Sequence, residues 1–460
     1  MDFVGNEERE LRVGAFARAA AWFVPIALGL FPISEWFRAQ VDLWSLCVYA
    51  SIVSLLILVL AARSTPQGFW SLSSIYLSVF SLFHFGVVYS FTLAGDSALT
   101  NFNTSKWFYS PDVPLAIAVA LAGMASFYGC SQLRWRRAPP LPASRADRLG
   151  TAAGPAGFLI VVFALAWWFY SAIHAGGPSL LLAAYNEFLR ATKYENISLS
   201  YFLLGIGMSL LVASPQRGWM RAGFVCFGLW AIIALPLGLR GEVLFPLAGA
   251  AALMAKHKQP MSGFKALVGV ALALVMIDFL RQLRQFGISG VGEAFLELQP
   301  TDALLELGSS LLPTVRVIEW LDSGDPYMNG ATYWAPLDRA LYHLIPGSTR
   351  LDAEDDMRIM NVLVMQRVGP IGFSPIAEAF YNYGRFAVVA FMGITGLLVG
   401  WLDRWKATPV RIAAAGAIVF PLLIQIRNTF VSTPSWIVIG LAIVGAVALF
   451  EQLRLRSQPR

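Results

Sequence analysis

Apolar runs long enough to cross about 30 Å of hydrocarbon recur along nearly the whole chain, and that pattern leaves few folds open. They lie near residues 14–33, 42–62, 69–93, 113–133, 153–174, 198–213, 222–239, 243–256, 266–280, 386–402, 408–426 and 434–451. Inside lipid a backbone must satisfy its own N–H and C=O groups, so runs of this length become helices. The expected fold is all-α: a polytopic integral membrane protein of about twelve transmembrane helices. With 57% hydrophobic and only 13% charged residues over 460, a soluble globular class is excluded. Cys47, Cys130 and Cys226 all fall in apolar runs, which leaves neither a disulfide framework nor metal-ligand spacing.

Lys and Arg set the expected orientation. One short segment holds Arg134, Arg136, Arg137, Arg145 and Arg148, whereas the short loops on the opposite side hold only Arg38, Lys106, Arg190, Lys193, Arg240 and Arg427. The basic side is cytoplasmic by the positive-inside rule, which places both termini in the cytoplasm. The charged start MDFVGNEERELRVGAF fits a retained cytoplasmic segment better than a signal peptide. The net charge of +6 is thus explained by the inner loops, without a nucleic-acid partner.

From about Arg281 to Pro370 the chain leaves the bilayer on the outer, periplasmic side. The expected division is a bundle over 1–280, a periplasmic cap loop over 281–371 and a second bundle over 372–460. Helical periodicity in LLELGSSLLPTVRVIEWL and a helix expected from about Ala353 to Gln366 mark the loop as folded. Thr301 and Asp302 suit a helix start, and Pro313 is expected to end or kink that helix. Twelve acidic against seven basic residues make the loop a poor general binder of polyanions.

The chain re-enters the membrane through GFSPIAEAFYNYG. There Ser374, Glu378, Asn382 and Arg385 follow at spacings of four, four and three, one stripe of a helix expected to continue through Leu402. A carboxylate, an amide and a guanidinium at that depth are costly unless they face protein or water, which points to a vestibule under the loop. Arginines gather at the same face: Arg240 in the turn LPLGLRGEVLFP, Arg281 and Arg284 beyond Asp278, Arg190 after the fifth run, and Arg427 after the eleventh. Guanidinium groups stay charged and grip phosphate oxygens in pairs, so these suit an anionic group at the membrane surface. For each the plainer reading is a helix-end ion pair or a headgroup contact. His84, His174 and His343 read as structural. No P-loop, dinucleotide fingerprint or Cys/His metal cluster occurs, so neither a cofactor nor a metal is expected.

GLRGE after an apolar helix, the G-x-T-Y element Gly330–Tyr333, the I-P-G turn Ile345–Gly347 and SPIAEAFYNYG together resemble the Wzy-type O-antigen polymerases. The resemblance runs over roughly Ala183 to Trp405. Arg281 with Gly292 matches the family's Arg-to-Gly spacing of eleven, whereas Arg190 has Tyr201 at that position. The resemblance implies a glycosyltransferase in the bacterial inner membrane. It would join undecaprenyl-diphosphate-linked repeat units at the outer face, beside a flippase and a chain-length regulator. Glu378 would then be the base for the acceptor hydroxyl. Arg240, Arg281, Arg284, Arg427, Arg190 and Arg385 would contact the anionic substrate, with Tyr381 and Asn382 orienting sugar hydroxyls and Trp320, Tyr327, Tyr333 and Trp334 stacking on rings. An O-antigen ligase or a lipid-linked oligosaccharide flippase are the rival readings. The cap-like loop and the outer clustering of charge favour an enzyme over a transporter.

Overall fold

The computed structural model describes residues 19–99, 104–133, 151–182, 185–192, 195, 197–257, 275, 279, 300–342 and 352–457, and its regular elements there are helical. In chain order they are α1 (Ala19–Ile33), α2 (Glu35–Gln40), α3 (Leu43–Arg63), α4 (Leu72–Ala94), α5 (Thr104–Phe108), α6 (Val113–Ser131) and α7 (Ala153–Gly176). Then come α8 (Tyr185–Ala191), α9 (Ile197–Ala213), α10 (Arg217–Ala234), α11 (Arg240–His257), α12 (Pro300–Leu307) and α13 (Leu312–Asp322). The chain ends with α14 (Ala331–Leu341), α15 (Met360–Arg367), α16 (Pro375–Tyr383), α17 (Arg385–Asp403), α18 (Pro409–Gln425) and α19 (Thr433–Ser457). Six stretches, built on α3, α4, α6, α7, α17 and α19, are long and apolar enough to cross a membrane, and α1, α9 and α18 are shorter apolar helices. The protein is therefore a polytopic, all-helical membrane protein. Of the expected span at 266–280 only residues 275 and 279 are among the described residues.

The chain divides into two compact units. The first takes Met1–Pro66, Tyr76–Trp135 and Leu304–Asp403. Its centre is α6, whose Ala- and Gly-rich sequence lets neighbours approach closely. A Cβ at Gly396 of α17 would stand 2.3 Å from the Phe127 carbonyl oxygen, and one at Gly400 equally close to that of Ser131. Such small-residue seams hold helices together where lipid supplies no hydrophobic drive. The Ser126 hydroxyl adds a hydrogen bond of 2.7 Å to the Val389 carbonyl. On the other side Tyr76 of α4 stacks on Phe127, with ring centroids 4.6 Å apart. Asp42 caps α3 by accepting from the Ser45 N–H at 3.0 Å.

The second unit takes Gln67–Ile75, Arg136–Ala303 and Arg404–Arg460. Here α7 packs on α9 and α10, and α9 and α11 pack on α18. Gly157 and Gly207 bring α7 and α9 together, since a Cβ at Gly157 would lie 2.8 Å from the Gly207 carbonyl. Buried Trp168 stacks on Phe188 and meets Trp230 edge-on.

Three local expectations are corrected. The helix carrying Glu378 does not run on through Leu402. It stops at Gly384, whose φ of +75° suits a residue without a side chain, and whose N–H closes α16 on the Phe380 carbonyl at 2.8 Å. The helix expected over 353–366 is confined to Met360–Arg367, because the Asp356 carboxylate accepts the Arg358 backbone N–H and holds the preceding segment in turns. Pro313 opens α13 instead of ending a helix, at a first-turn position where its missing N–H costs nothing.

Candidate functional site

The short helix α16 is built by its own sequence. Ser374 takes an extended conformation, and its hydroxyl accepts the Ala377 N–H at 3.1 Å. Pro375 then supplies the first helical residue. Ser374 is thus spent on capping, and it is fully buried. One turn on, Glu378 is only 1% exposed, so its carboxyl group lies inside protein. Arg385 leaves the stripe: the break at Gly384 puts it at the head of α17, where it pairs with Glu35 at 3.2 Å.

Asn382 joins α16 to the loop. Its side-chain carbonyl accepts the Gly330 N–H at 2.8 Å, while its amide donates to the Thr332 hydroxyl at 2.8 Å and to the Glu378 carbonyl at 2.7 Å. The main chain repeats the join: Met328 N–H reaches the Tyr381 carbonyl at 3.0 Å, and Asn329 N–H the Asn382 carbonyl at 3.2 Å. Gly330 itself sits at φ +85°, with the Tyr383 hydroxyl where a Cβ would point. The next residue of the element, Tyr333, stacks on Phe391 of α17 with centroids 5.7 Å apart. Burial pushes the Tyr333 hydroxyl above its ordinary range, and the Glu378 charge beside it pushes the same way. G-x-T-Y and SPIAEAFYNYG therefore form one structure, with Glu378 and the Tyr333 hydroxyl near each other inside it.

Two further residues belong to this cluster, and sequence reading missed both. Asp325 accepts from Arg367 and from the Tyr381 hydroxyl, the latter at 3.0 Å. The Arg367 guanidinium also lies over the Trp320 ring, 4.9 Å from its centroid, and Trp320 meets Tyr381 edge-on. The Arg367 hydrogen bond holds the Asp325 carboxyl below its ordinary range. Burial first, and then Asp325, push the Tyr381 phenol up to about 12. Arg367 lies 42 residues from Asp325, and no periodicity links them. The turn residues of SGDPYMNG were the one available signal for Asp325.

The other anticipated arginines divide between the second unit and the undescribed residues. Arg240 is the first residue of α11 and is buried, following a turn in which Gly238 takes φ +89°. Arg427, just past α18, acts electrostatically on Glu242, so these two charges share a neighbourhood. Arg190 is exposed on α8. Arg281 and Arg284 lie outside the described residues, as do His343 and the turn at 345–347. Among the described residues no group of three or more His, Cys, Asp or Glu is placed to hold a metal ion.

The profile of the O-antigen polysaccharide polymerase Wzy family matches residues 22–455. The chain belongs to that family. Protein CapE of Staphylococcus aureus is similar at 24% identity over 238 residues, a match that spans about half of each chain, 52% of both. No solved structure matches. The match to the Wzy family takes in most of α1, all of α2 to α18 and most of α19, and includes both segments of the Gly330–Asn382 clasp.

Proposed function

We propose that this chain is a polysaccharide polymerase that joins undecaprenyl-diphosphate-linked repeat units into O-antigen or a related surface polymer. The family match over 22–455 carries the reading. The topology proposed with it is about twelve spans, cytoplasmic termini and a periplasmic cap over 281–371, in a bacterial inner membrane. Within the reaction the growing glycan leaves its lipid diphosphate as the donor's C1–O bond breaks. The acceptor hydroxyl of a new lipid-linked unit bonds to that carbon and gives up its proton.

Glu378 is assigned the proton. What supports this is a carboxyl group held inside protein on a capped helix and set beside one phenol. Asn382 and Thr332 are assigned to positioning that helix, since their polar atoms bond to each other. Asp325 and Arg367, partly exposed, form a polar surface backed by buried Tyr381 and by Trp320, suited to sugar hydroxyls and ring faces. Arg240, Arg427, Arg281, Arg284, Arg190 and Arg385 are proposed for the diphosphates. Their charge is worth most in the transition state, as negative charge builds on the leaving oxygen. A flippase and a chain-length regulator are the proposed protein partners.

Reconstituting the purified protein in vesicles with lipid-linked repeat units tests the reading. The expected product is a ladder of lipid-linked oligomers with release of undecaprenyl diphosphate. Transfer only to a lipid A core acceptor would identify a ligase, and movement of unextended units across the bilayer would identify a flippase.

A further inference from the structure

Helix α14 carries an apolar face that is open among the described residues. Trp334, Leu337 and Leu341 are 66%, 49% and 46% exposed, and their spacing of three and four puts them on one stripe. The opposite face holds buried Thr332 and Ala335. The helix is pinned at both ends. Its start is clasped by Asn382 through Gly330 and Thr332. Near its C-terminal end Arg339 pairs with Asp356 at 3.1 Å, and Arg358 bridges Asp356 at 2.9 Å and Asp338 at 2.7 Å. A fixed helix that turns a tryptophan and two leucines outward presents a built surface.

The surroundings say what covers it. The clasp fastens α14 to the end of α16, one residue before the break that starts α17, a helix long and apolar enough to span the membrane. At that break lie exposed Tyr383, exposed Phe386 and exposed Tyr327, whose hydroxyl is the nearest group to a Cβ at Gly384. Arg385 pairs there with Glu35, and Trp36 beside it is exposed. Tyrosine, tryptophan and a snorkelling arginine at one end of a span mark the headgroup level. The stripe on α14 begins at that level. A second copy of the chain is a poorer occupant. Three half-exposed side chains offer about 300 Å², at roughly 150–250 Å² for a large ring, against about 800 Å² per partner in a stable complex.

We propose that α14 is an interfacial anchor. It lies along the leaflet reached by the start of α17, with Trp334, Leu337 and Leu341 at the boundary between headgroups and acyl chains. The bilayer then helps to hold the Gly330–Tyr333 element against α16. The inference rests on the span α17 and not on the polymerase reading.

The test is a nitroxide at Leu337→Cys in the full chain, with Cys47, Cys130 and Cys226 replaced by alanine, in vesicles of phosphatidylethanolamine and phosphatidylglycerol. Ile394→Cys, exposed on α17, is the lipid-facing control, and Asp355→Cys, in the exposed turn before α15, is the water-facing one. The expected result is collision with oxygen in excess of a water-soluble nickel chelate at Leu337, as at Ile394. Chelate in excess, as at Asp355, would overturn the proposal by showing a face in water. Protection from both reagents would overturn it by showing a face covered by protein. Leu341→Cys repeats the reading one turn on, so a label that perturbs one site does not decide the outcome.

Discussion

The side chain of Asn382 and the backbone of Gly330, 52 residues apart, meet in a hydrogen bond of 2.8 Å that helps to join the loop to α16. Asn382 is fully buried and its amide is shared between Thr332 and the Glu378 carbonyl. Asn382→Ala strands a buried N–H and a buried hydroxyl, each costing about 1–3 kcal/mol. Asn382→Asp keeps the acceptor for Gly330 but loses both donations and adds a second carboxylate near Glu378. Both variants are expected to lower the thermal midpoint of the detergent-purified protein, with the aspartate losing more as pH rises. An unchanged midpoint in both would remove the clasp from the account.

Gly330→Ala tests the same join from the other side. The new methyl would stand 2.4 Å from the Tyr383 hydroxyl, at a φ of +85° that L side chains rarely adopt. The backbone part of the cost is about 1–3 kcal/mol. Tyr383→Phe in the same chain removes the clashing oxygen and leaves the backbone cost. The double variant is therefore expected to recover part, and not all, of the stability lost, as read by thermal unfolding. Full recovery would mean that the strain at Gly330 is negligible.

Much of this arrangement was legible in the sequence. The apolar runs placed α3, α4, α6, α7, α17 and α18 within a few residues, because a buried or lipid-facing span needs a continuous apolar stretch and little else. Glu378 stood out as a carboxylate in a costly place, and G-x-T-Y as part of the resemblance to the Wzy-type polymerases. What stayed hidden was long-range or conformational. The break at Gly384 depends on one residue's φ and on a carbonyl four residues back, which hydropathy does not register. Asn382 reads equally well as a sugar ligand or a clasp until its three partners are known. The pairing of Asp325 with Arg367 joins two ordinary loop residues that nothing local connects.

That pair gives a pH dependence. Arg367 holds the Asp325 carboxyl below its ordinary value of 3.8. A depressed carboxyl contributes stability that is present above the unfolded value and is lost as pH falls through the folded one. Arg367→Gln is expected to remove that contribution, so its deficit against the parent should be constant near neutrality and vanish in acid below the ordinary carboxyl range. With side chains 38% and 27% exposed, the effect is on the order of 1 kcal/mol or less. Thermal midpoints of both proteins across an acid series check it, and a deficit that grows in acid would reverse the sign of the pair.

Glu378→Gln separates chemistry from architecture. The amide fills the same volume and can still hydrogen-bond, but it cannot accept the acceptor's proton at neutral pH. If Glu378 is the base, turnover should fall by about 100- to 10,000-fold while lipid-linked repeat units still bind. Cells carrying the variant are expected to display glycolipid capped with a single repeat unit in place of a ladder. Loss of a ligase or a flippase would remove even that single unit from the surface. Because Glu378 is only 1% exposed, the variant must also be compared with Asn382→Ala, whose damage comes through the helix that carries Glu378. A base should show its loss in turnover with the thermal midpoint preserved, and a structural carboxyl should show the two falling together. A normal ladder from Glu378→Gln would take the proton away from Glu378 and leave it as part of the packing beneath Tyr333.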